Sequence, residues 1–367
     1  MKVLIVGGGI AGLGLANVLN GKSDIELTVI ERESEWHIAG SGLYTPYNGV
    51  KILDALGLGN FAREKGHIIS HRHFLDARGH TVLNLDLEEI WAQKKPCLGI
   101  NRKALHEVLL ENLADLNVKF NCTIQKLVET ETQVKVIFSN DKEDSYDLVI
   151  AADGIKSETR KIILGDIPFR LDQHQVCRLL INKPANIHAW TMYGSKDGIF
   201  LIIPISEEIA YCYVSNKNSS KLSREEFIKP FISFESPVSD ILKNQEYLKK
   251  AYWSKVEELA PLEIYGKNSV ILIGDAAHAM PPYMAQGGSL ALEDAYVLGK
   301  MILEENDIKN WAEAFTYKRK SRIDWVRDRN RKREKLAKVP FWLAKVGLKF
   351  TGKKNWIKDY YPLRSDV

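Results

Sequence analysis

The sequence contains few cysteines, and their positions exclude several classes of site. Four occur among 367 residues, and they lie far apart in the chain, at Cys97, Cys122, Cys177 and Cys212. No pair has the short spacing of a zinc site or of a redox dithiol. We therefore predict buried free thiols, a reducing cytoplasmic location and no metal site.

The chain also lacks the sequence features of membrane and secreted proteins. No uninterrupted apolar run approaches the roughly 18 residues that a membrane span requires. Met1 and Lys2 lead directly into an apolar strand, so we expect no signal peptide. There is no internal repeat and no low-complexity segment. A globular protein of this length is expected to contain two domains.

Charge is distributed unevenly along the chain. The net charge is +4, yet residues 318–367 contain 17 lysines and arginines against 5 acids, a balance of +12, so the rest carries −8. We favour a basic helix packed across the remainder of the protein, and the alternative is contact with an anionic membrane surface. Nucleic-acid binding is not expected, because no binding module accompanies the charge.

The N-terminus contains a glycine motif of the kind that binds dinucleotides. An apolar run, Val3–Val6, leads into Gly7, Gly9 and Gly12. The first glycine permits a tight turn, the second lets the backbone approach a pyrophosphate, and the third allows close helix packing. A predicted helix over 11–19 directs its N-terminus towards the phosphates.

An acid follows this motif at the distance that nucleotide binding requires. A second predicted strand, over 26–30, ends at Glu31, about 20 residues beyond the glycines, where the motif places the carboxylate that binds the adenosine ribose. We therefore predict a cofactor that contains ADP. The motif by itself does not separate NAD from FAD.

A second glycine motif lies far downstream, between residues 270 and 294. An apolar strand over 270–273 runs into Gly274-Asp275, and Gln286-Gly287-Gly288 opens a helix after a loop that contains proline. Asp275, at a strand end, is suited to bind a ribityl hydroxyl, and the helix N-terminus is suited to stabilise an anionic flavin edge. Together the two motifs predict one flavin held from both ends.

The segment between the motifs has a different pattern. Residues 71–85 are typical of a β-hairpin, and short strands between 170 and 260 predict a mainly antiparallel sheet. We predict an α/β fold with an α+β insert: a Rossmann-like FAD-binding domain with a parallel sheet, an antiparallel substrate domain and C-terminal helices. The predicted boundaries are 1–70, 100–170 and 262–320 for the FAD-binding domain, 71–99 and 171–261 for the substrate domain, and 321–367 for the helical segment.

With these motifs the chain resembles the class A flavoprotein monooxygenases, the single-component FAD-dependent aromatic hydroxylases. Three ordered motifs carry the resemblance over nearly the whole chain: Gly7 to Gly12 with Glu31-Arg32, the Asp153-Gly154 signature within 149–160, and 274–295. Residues 42–58 also match the family segment that passes under the flavin.

The resemblance implies a set of cofactor-binding residues. They are Gly7, Gly9, Ala11, Gly12, Glu31, Arg32, Ser41, Leu43, Arg102, Ile124, Asp153, Gly274, Asp275, Gln286, Gly287 and Gly288. Arg102 is expected to reach the cofactor phosphates. Asp153 is expected to serve both FAD and NAD(P)H, and its alternative role is to cap the following helix. His278 is expected to pack beside the flavin rather than to act in catalysis.

The resemblance also implies the reaction. In the family, NADPH or NADH reduces FAD, O2 adds to give a flavin C4a-hydroperoxide, and its distal oxygen hydroxylates an electron-rich substrate. We expect an aromatic or polycyclic small molecule as the substrate, and a monomer or homodimer. Two alternatives stay open, a flavin-dependent reductase or dehydrogenase on the same fold and a membrane-docked, non-catalytic flavoprotein.

Several segments are expected to line the substrate pocket. The substrate-binding candidates are Tyr44, Tyr47, Asn48, Tyr193, Tyr211, Tyr213, Pro282, Tyr283 and Met284. Tyr211, Tyr213 and His188 are candidate catalytic groups, with His71 and His73 ranked below them. Ordinary sheet packing is the alternative for either tyrosine. Tyr47 and Gly288-Ser289 depart from the family's common residues, so no relative's substrate is transferred to this chain.

Overall fold

The structure, a computed structural model, describes residues 1–36, 41–92, 96–305 and 310–367, and every predicted site residue lies within these ranges. The strands, numbered in chain order, are β1 Lys2–Val6, β2 Glu26–Ile30, β3 Gly42–Thr45, β4 His67–Ile69, β5 His71–Asp76, β6 Thr81–Asp86, β7 Cys97–Asn101, β8 Val118–Lys119, β9 Ile124–Glu129, β10 Val134–Phe138, β11 Glu143–Tyr146, β12 Leu148–Ala151, β13 Phe169–Asn182, β14 Trp190–Gly194, β15 Gly198–Pro204, β16 Ile209–Asn216, β17 Tyr252–Leu259, β18 Gly266–Lys267 and β19 Val270–Leu272. The α-helices are α1 Ile10–Leu19, α2 Tyr47–Ala55, α3 Gly59–Lys65, α4 Leu87–Trp91, α5 Arg102–Leu110, α6 Glu158–Leu164, α7 Arg224–Ile228, α8 Val238–Lys243, α9 Gln245–Lys249, α10 Asp275–His278, α11 Gly287–Glu304, α12 Trp311–Ala337 and α13 Phe341–Tyr360.

A six-stranded sheet in the order β18-β19-β12-β1-β2-β8 forms the first half of the fold. Parallel pairs join β1 to β2 and β12, and β12 to β19. Val3 and Ile5 face one core and Leu4 and Val6 face another, so β1 is covered on both sides. That arrangement explains why the strand has a continuous apolar sequence instead of an alternating one.

A seven-stranded sheet in the order β17-β13-β16-β15-β14-β5-β6 forms the second half. Its pairs are antiparallel except for β14 with β5, so the sheet is mainly antiparallel, as predicted. Side chains alternate between two cores: Leu201 and Ile203 face the main core, whereas Phe200 and Ile202 face a smaller one that includes α7 and α8.

The basic C-terminal segment forms two helices that pack on the rest of the protein. Helix α12 lies against α11 and β19, and α13 lies against β6 and α4. Helix α13 approaches β6 closely at Gly352, where a Cβ atom would lie 2.6 Å from Leu83 Cδ2. None of the described helices is both long enough and apolar enough to span a membrane. The domain boundaries given above stay a prediction.

Candidate cofactor and substrate site

The connection from β1 into α1 requires glycine at two positions, one in the turn and one in the first turn of the helix. Gly7 has a φ of +100°, and a Cβ atom there would lie 2.7 Å from the carbonyl oxygen of Ala152. A Cβ atom on Gly12 would lie 2.0 Å from the Gly7 carbonyl oxygen, so α1 approaches β1 closely. A Cβ atom on Gly9 would meet no non-neighbouring atom within 4 Å. Gly9 therefore borders open space at the N-terminus of α1.

Three side chains hold Gly8, between these glycines. Glu31 Oε2 accepts the Gly8 N–H at 2.9 Å, and His106 Nε2 lies 2.8 Å from the Gly8 carbonyl oxygen. The Trp36 ring covers Gly8 so closely that a Cβ atom would lie 2.0 Å from it. Glu31 thus stabilises the turn while its side chain stays partly exposed to a ligand.

The two glycine motifs meet at the N-termini of α1 and α11. Gly274 has a φ of +59°, and a Cβ atom there would lie 3.0 Å from Ala11 Cβ. One on Gly288 would lie 3.9 Å from Ile10 Cδ1, and one on Gly287 would face open space. Two helix N-termini therefore lie together beside unfilled space, and their N–H groups and dipoles favour an anionic ligand.

Two aspartates in the later motifs keep oxygens available to a ligand. Asp153 Oδ2 accepts bonds from Thr159 N–H at 3.0 Å and from Thr159 Oγ1 at 2.9 Å, so the capping role is present. Its Oδ1 is buried and has no partner among the described residues. Asp275 is exposed at the start of α10. Each carboxylate can therefore accept a hydrogen bond from a cofactor.

Arg160 joins the second motif to the third. Its two terminal nitrogens donate to the carbonyl oxygens of Ala276 and Ile155, each at 2.9 Å, and the side chain is buried. Burial lowers the pKa of Arg160, and the nearby Asp153 opposes that change. The arginine therefore fixes the loop that carries Asp153 against the loop that carries Asp275.

The remaining cofactor candidates lie around this centre. The Ser41 carbonyl accepts the Arg102 N–H at 2.7 Å, which brings Ser41, Leu43 and the exposed Arg102 side chain together at the paired strands β3 and β7. Arg32 is exposed beside Glu31. Ile124 is buried in the core behind β1, so any cofactor contact there would use its backbone.

A buried ion-pair network lies beneath the third motif and joins α11 to α12. Glu293 is bound by Arg319 at 2.9 Å and by two nitrogens of Arg322 at 2.7 and 2.8 Å. Asp294 binds Arg319 at 2.7 Å and His278 Nε2 at 2.6 Å. Burial raises the pKa of both carboxyl groups, but the neighbouring cations outweigh it and hold each pKa below its ordinary value. His278 therefore has a structural partner in Asp294, and its expected packing beside the flavin stays a prediction.

The same network reaches the cofactor loop and the substrate loop. Asp294 Oδ2 accepts the Gly274 N–H at 2.9 Å. The side-chain amides of Asn48 and Gln286 exchange bonds of 2.9 and 3.1 Å, and Asn48 also donates to Glu293 at 2.7 Å. These amides are buried and committed within the protein. Any ligand contact by Asn48 or Gln286 would therefore use their backbone atoms.

One face of the seven-stranded sheet presents an ordered row of side chains to the main core. In neighbouring strands β16, β15, β14 and β5 the row contains Tyr211, Ile203, Trp190 and Arg72, and the next row contains Tyr213, Leu201, Met192 and Phe74. Tyr193, predicted to contact the substrate, instead lies on the opposite face in the smaller core. Because side chains alternate along β14, Trp190 and Met192 lie on the face where Tyr193 was predicted to lie.

Neither Tyr211 nor the three candidate histidines has the surroundings of a general base in the main core. Burial raises the pKa of Tyr211 to about 12, although Arg178 opposes the shift, so the hydroxyl stays protonated and acts as a donor. His188 is exposed. His71 and His73 alternate with Arg72 and therefore lie on the other face of β5.

Arg72 is a buried cation on the face of the sheet that packs in the main core. Only 2% of it is exposed, and its guanidinium carbon lies 4.7, 5.1, 4.6 and 5.3 Å from the ring centres of Tyr44, Trp190, Trp356 and Tyr360. Its terminal nitrogens reach the Tyr360 hydroxyl at 3.4 Å. Tyr44 and Tyr360 raise the pKa of Arg72 above its ordinary value although burial lowers it, so the charge is retained.

The C-terminal helices hold the loop that was predicted to face the substrate. Within the turn Pro282–Met284, the Met284 N–H donates to Asn330 Oδ1 at 2.9 Å, and its carbonyl accepts from the Tyr360 hydroxyl at 3.1 Å. Arg333 donates to the carbonyl oxygen of Tyr283 at 2.9 Å. The basic segment therefore orders one wall of the site, and several of its charged groups are buried, Arg319 and Arg327 among them.

Sequence reasoning placed Trp190 within a predicted wall segment, residues 188–193, but did not identify the other residues around this wall, which are Arg72, Asn330, Trp356 and Tyr360. Trp91 was also unidentified, and the buried Tyr47 packs edge-on against it at 5.8 Å. The sequence offered only a weak indication of Arg72, which lies between two histidines and just before a phenylalanine in the predicted hairpin. The C-terminal residues gave none, because they come from the opposite end of the chain. In the described part of the chain no cluster of three or more His, Cys, Asp or Glu side chains could hold a metal ion.

Comparisons with known proteins were made for the whole chain. A family model described as FAD binding domain matches residues 1–317. The 3-hydroxybenzoate 6-hydroxylase of Klebsiella oxytoca is 28% identical over 323 residues, which cover 83% of this chain and 80% of that protein. The 2-heptyl-3-hydroxy-4(1H)-quinolone synthase of Pseudomonas aeruginosa is 26% identical over 347 residues, which cover 89% and 87%.

A solved structure extends the likeness to three dimensions. HpxO of Klebsiella pneumoniae, solved with FAD and uric acid, matches with a TM-score of 0.81 at 24% identity, over 100% of this chain and 93% of that one. At this identity the likeness shows the fold. The predicted α/β class, with its Rossmann-like sheet, antiparallel insert and C-terminal helices, is confirmed.

Proposed function

This chain belongs to the FAD binding domain family, and on that premise we propose that it is a single-component monooxygenase that hydroxylates an aromatic or polycyclic molecule with NAD(P)H and O2. The family confirms the predicted FAD cofactor and the suspected resemblance to the aromatic hydroxylases. The observation that carries the proposal is the arrangement of two helix N-termini beside unfilled space, together with an aromatic sheet face in the adjoining core.

The described residues fit the flavin at the points where they can be tested. Gly9 and Gly287 leave room for it, and Asp275 and Asp153 Oδ1 offer acceptors to its hydroxyl and amide groups. When bound, FAD would supply the redox chemistry, namely the transfer of electrons from NAD(P)H and the activation of O2 for hydroxylation. We expect α11 to stabilise negative charge on the flavin through its N-terminus.

The protein's own contribution is to bind, orient and exclude water. The aromatic and aliphatic rows on β14, β15 and β16 provide an apolar surface on which a planar molecule can lie. The protonated Tyr211 hydroxyl is suited to donate a hydrogen bond to a substrate oxygen. Because Tyr211 stays protonated, His188 is exposed and His71 and His73 lie on the other face of β5, we infer that the substrate ring is already electron-rich when it binds.

Labelled oxygen distinguishes the monooxygenase from a reductase or dehydrogenase. Purified holoenzyme is screened with aromatic compounds for stimulated NAD(P)H oxidation, and each positive reaction is repeated under ¹⁸O2. We expect one labelled oxygen atom in the product. Product formed without label would favour the reductase, and NAD(P)H consumption with peroxide alone would count as uncoupled reduction rather than hydroxylation.

A specific surface favours a second property, peripheral contact with an anionic membrane. Helix α13 exposes Trp342, Leu343, Val346 and Phe350 on one side, with exposed fractions of 44% to 78%. At 100° per residue these four side chains form one stripe, and exposed lysines lie beside it at positions 349, 353 and 354. Apolar groups flanked by lysine are suited to the interface of an acidic bilayer.

Point variants test this contact, because deleting α13 would uncover Phe74 and Trp91, which pack on Trp356 and Tyr360. We expect the holoenzyme to sediment with vesicles that contain phosphatidylserine and not with phosphatidylcholine vesicles. The double variant Trp342→Ser/Phe350→Ser should lose this binding. Tyr317→Ser, which alters an 89% exposed residue of α12, should keep it. Equal sedimentation of the double variant would refute the membrane contact.

A further inference from the structure

A basic groove of about 770 Å³ lies between the C-terminal helices and one end of the seven-stranded sheet. Its walls come from the β5–β6 turn, from the segments that follow β14 and β16, and from the connection between α12 and α13. The walls carry five lysines and arginines against one acid, and these six residues are Arg78, Lys196, Lys217, Lys338, Lys345 and Asp76. The groove is therefore suited to an anion.

The groove is separate from the proposed flavin and substrate site. None of the described residues that line it is a predicted cofactor or substrate contact. Gly194, in its wall, is four residues from Trp190 along β14, about 13 Å at the usual rise per residue. Tyr211 lies at the other end of the sheet face, against Gly42 of β3. The proposed flavin and its substrate therefore do not account for the charges of the groove.

The protein neutralises only part of this positive charge. Lys345 binds Asp76 at 2.7 Å, and Lys338 lies 3.4 Å from Glu334. Arg78 and Lys196 are both exposed. Within the described ranges, neither of these two side chains takes part in an ion pair or a hydrogen bond. Two cations on the walls thus remain available to a ligand.

Lys217 also favours an anion in the groove. It is half-buried, and its ammonium group donates to the Val339 carbonyl oxygen across a long distance of 3.4 Å. Burial lowers the pKa of Lys217, although Asp197 opposes the shift. A negative ligand beside this ammonium group would offset the cost of its partial desolvation.

Phosphate is the anion that this arrangement fits best. It offers more acceptor oxygens than a carboxylate, so it can contact cations on more than one wall, and lysine binds it as a point charge. Helix α13 begins at the groove without a side-chain cap, and its dipole adds to the attraction. The volume is typical of a small-molecule site, so a phosphate fits together with an attached polar group.

The position of the groove along α13 indicates that this phosphate belongs to a lipid. Trp342 lines the groove and also begins the exposed apolar stripe. Lys345 lies about 60° from Trp342 around the helix axis, between the stripe and Phe341. The Phe341 ring packs on Gly194, where a Cβ atom would lie 2.8 Å from it. The groove therefore opens along the border of the surface for which we propose membrane contact.

We propose that this groove binds the phosphate of an anionic phospholipid headgroup while the apolar stripe of α13 lies in the bilayer interface. The inference rests on the membrane contact proposed above and names the lipid group that the protein recognises. It implies a preference for phosphate over other anions at the same surface charge. Long-range attraction to a charged surface gives no such preference.

Vesicles of equal surface charge and different anion test the site. The holoenzyme is sedimented with phosphatidylcholine vesicles that contain either phosphatidylglycerol or oleate, matched by their zeta potential. We expect severalfold stronger binding to phosphatidylglycerol. The double variant Arg78→Gln/Lys196→Gln should bind these vesicles roughly 10- to 30-fold more weakly and should no longer distinguish them from oleate vesicles.

A matched control removes two cations from another surface. Lys126 and Lys142 are exposed on the three-stranded sheet of β9, β10 and β11 and its turn. Lys126→Gln/Lys142→Gln changes the net charge equally and should keep the preference for phosphatidylglycerol. Equal binding of the wild type to both vesicles overturns the proposal, as does an unchanged preference in Arg78→Gln/Lys196→Gln. If the first double variant melts below the wild type, Lys196→Gln alone decides.

Soluble phosphates distinguish a lipid from a phosphorylated metabolite. The holoenzyme is titrated by calorimetry with glycerol 3-phosphate and with inorganic phosphate. We expect each to bind far more weakly than phosphatidylglycerol in vesicles, because neither brings contact between the stripe and a bilayer. An affinity for either one that equals the affinity for the vesicles would assign the groove to a soluble ligand and overturn the lipid proposal.

Failure of the groove and failure of the membrane contact give different results. If Trp342→Ser/Phe350→Ser sediments with acidic vesicles as the wild type does, the membrane contact is rejected and the lipid site with it. If that variant loses the binding but the wild type does not prefer phosphatidylglycerol over oleate, the membrane contact stands and only the headgroup site is rejected.

Discussion

Single carboxylates make different contributions at the two ends of the proposed flavin. Glu31 is already bonded to the Gly8 N–H, so it shapes the turn as well as offering an oxygen to a ribose. Asp275 is exposed, and in our proposal it would bind the cofactor directly. The two residues should therefore differ in what their removal does to the protein without flavin.

Asp275→Ala should weaken FAD retention with little effect on folding. Loss of one charge-assisted hydrogen bond, worth about 1.5 to 3 kcal/mol, predicts a dissociation constant roughly 10- to 100-fold higher. Flavin content after gel filtration and titration of the apoprotein measure it. Asp166→Ala, whose side chain is 85% exposed, is the control. Full flavin occupancy in Asp275→Ala would place the ribityl contact elsewhere.

Replacement of Asp294 should destabilise the fold more than replacement of Asp275, because three groups bond to the Asp294 carboxylate. Asp294→Asn should leave Arg319 and His278 without their shared anion and disturb the Gly274 N–H. Removing one partner of such a buried network costs about 3 to 5 kcal/mol. Chemical denaturation of the apoprotein measures it, and a loss below 1 kcal/mol would contradict this account.

At the scale of elements, α12 and α13 act on the site through the turn Pro282–Met284. Asn330 is 2% exposed and is the acceptor for the Met284 N–H. Asn330→Ala should therefore destabilise the protein by about 1 to 3 kcal/mol and loosen the turn. We expect faster hydrogen exchange at Met284 and unchanged exchange in β1. Asn355→Ala, an exposed amide on α13, is the control. Identical exchange at Met284 would argue against the helices as its support.

The ion pair between Asp76 of β5 and Lys345 of α13 should make the packing of α13 depend on pH. Burial would raise the pKa of Asp76, but Lys345 at 2.7 Å and the N–H groups of His80 and Arg78 lower it to about 2. A lowered carboxyl pKa stabilises the fold fully above the ordinary value of 3.8 and loses that effect as pH falls towards 2. Asp76→Asn should therefore melt below the wild type at pH 6, and the difference should shrink below pH 4. If the difference in melting temperature between the two proteins stays constant from pH 6 to pH 3, the ionisation of Asp76 is not its source.

At the scale of the whole molecule, local motifs were predictable and distant contacts were not. Gly7 and Gly274 have positive φ values, and Gly12 leaves no room for a Cβ atom beside the Gly7 carbonyl oxygen, so the sequence recorded these three positions directly. Tyr193 was assigned to the wrong face of the sheet because β14 is covered by apolar cores on both sides. Its sequence therefore lacks the alternation of polar and apolar residues that shows which side chains share a face. Arg72 and Trp356 are 284 residues apart, and no local pattern links them.

The position of β19 and α11 late in the chain determines when the two glycine motifs can meet. The ribosome makes Glu31 early, but Gly287 follows only after the entire antiparallel sheet has been translated. At about 5 to 20 residues per second, this interval is on the order of 10 to 50 s. A nascent chain therefore carries half of a nucleotide site for most of its synthesis, and flavin capture belongs to the last stage of its biogenesis.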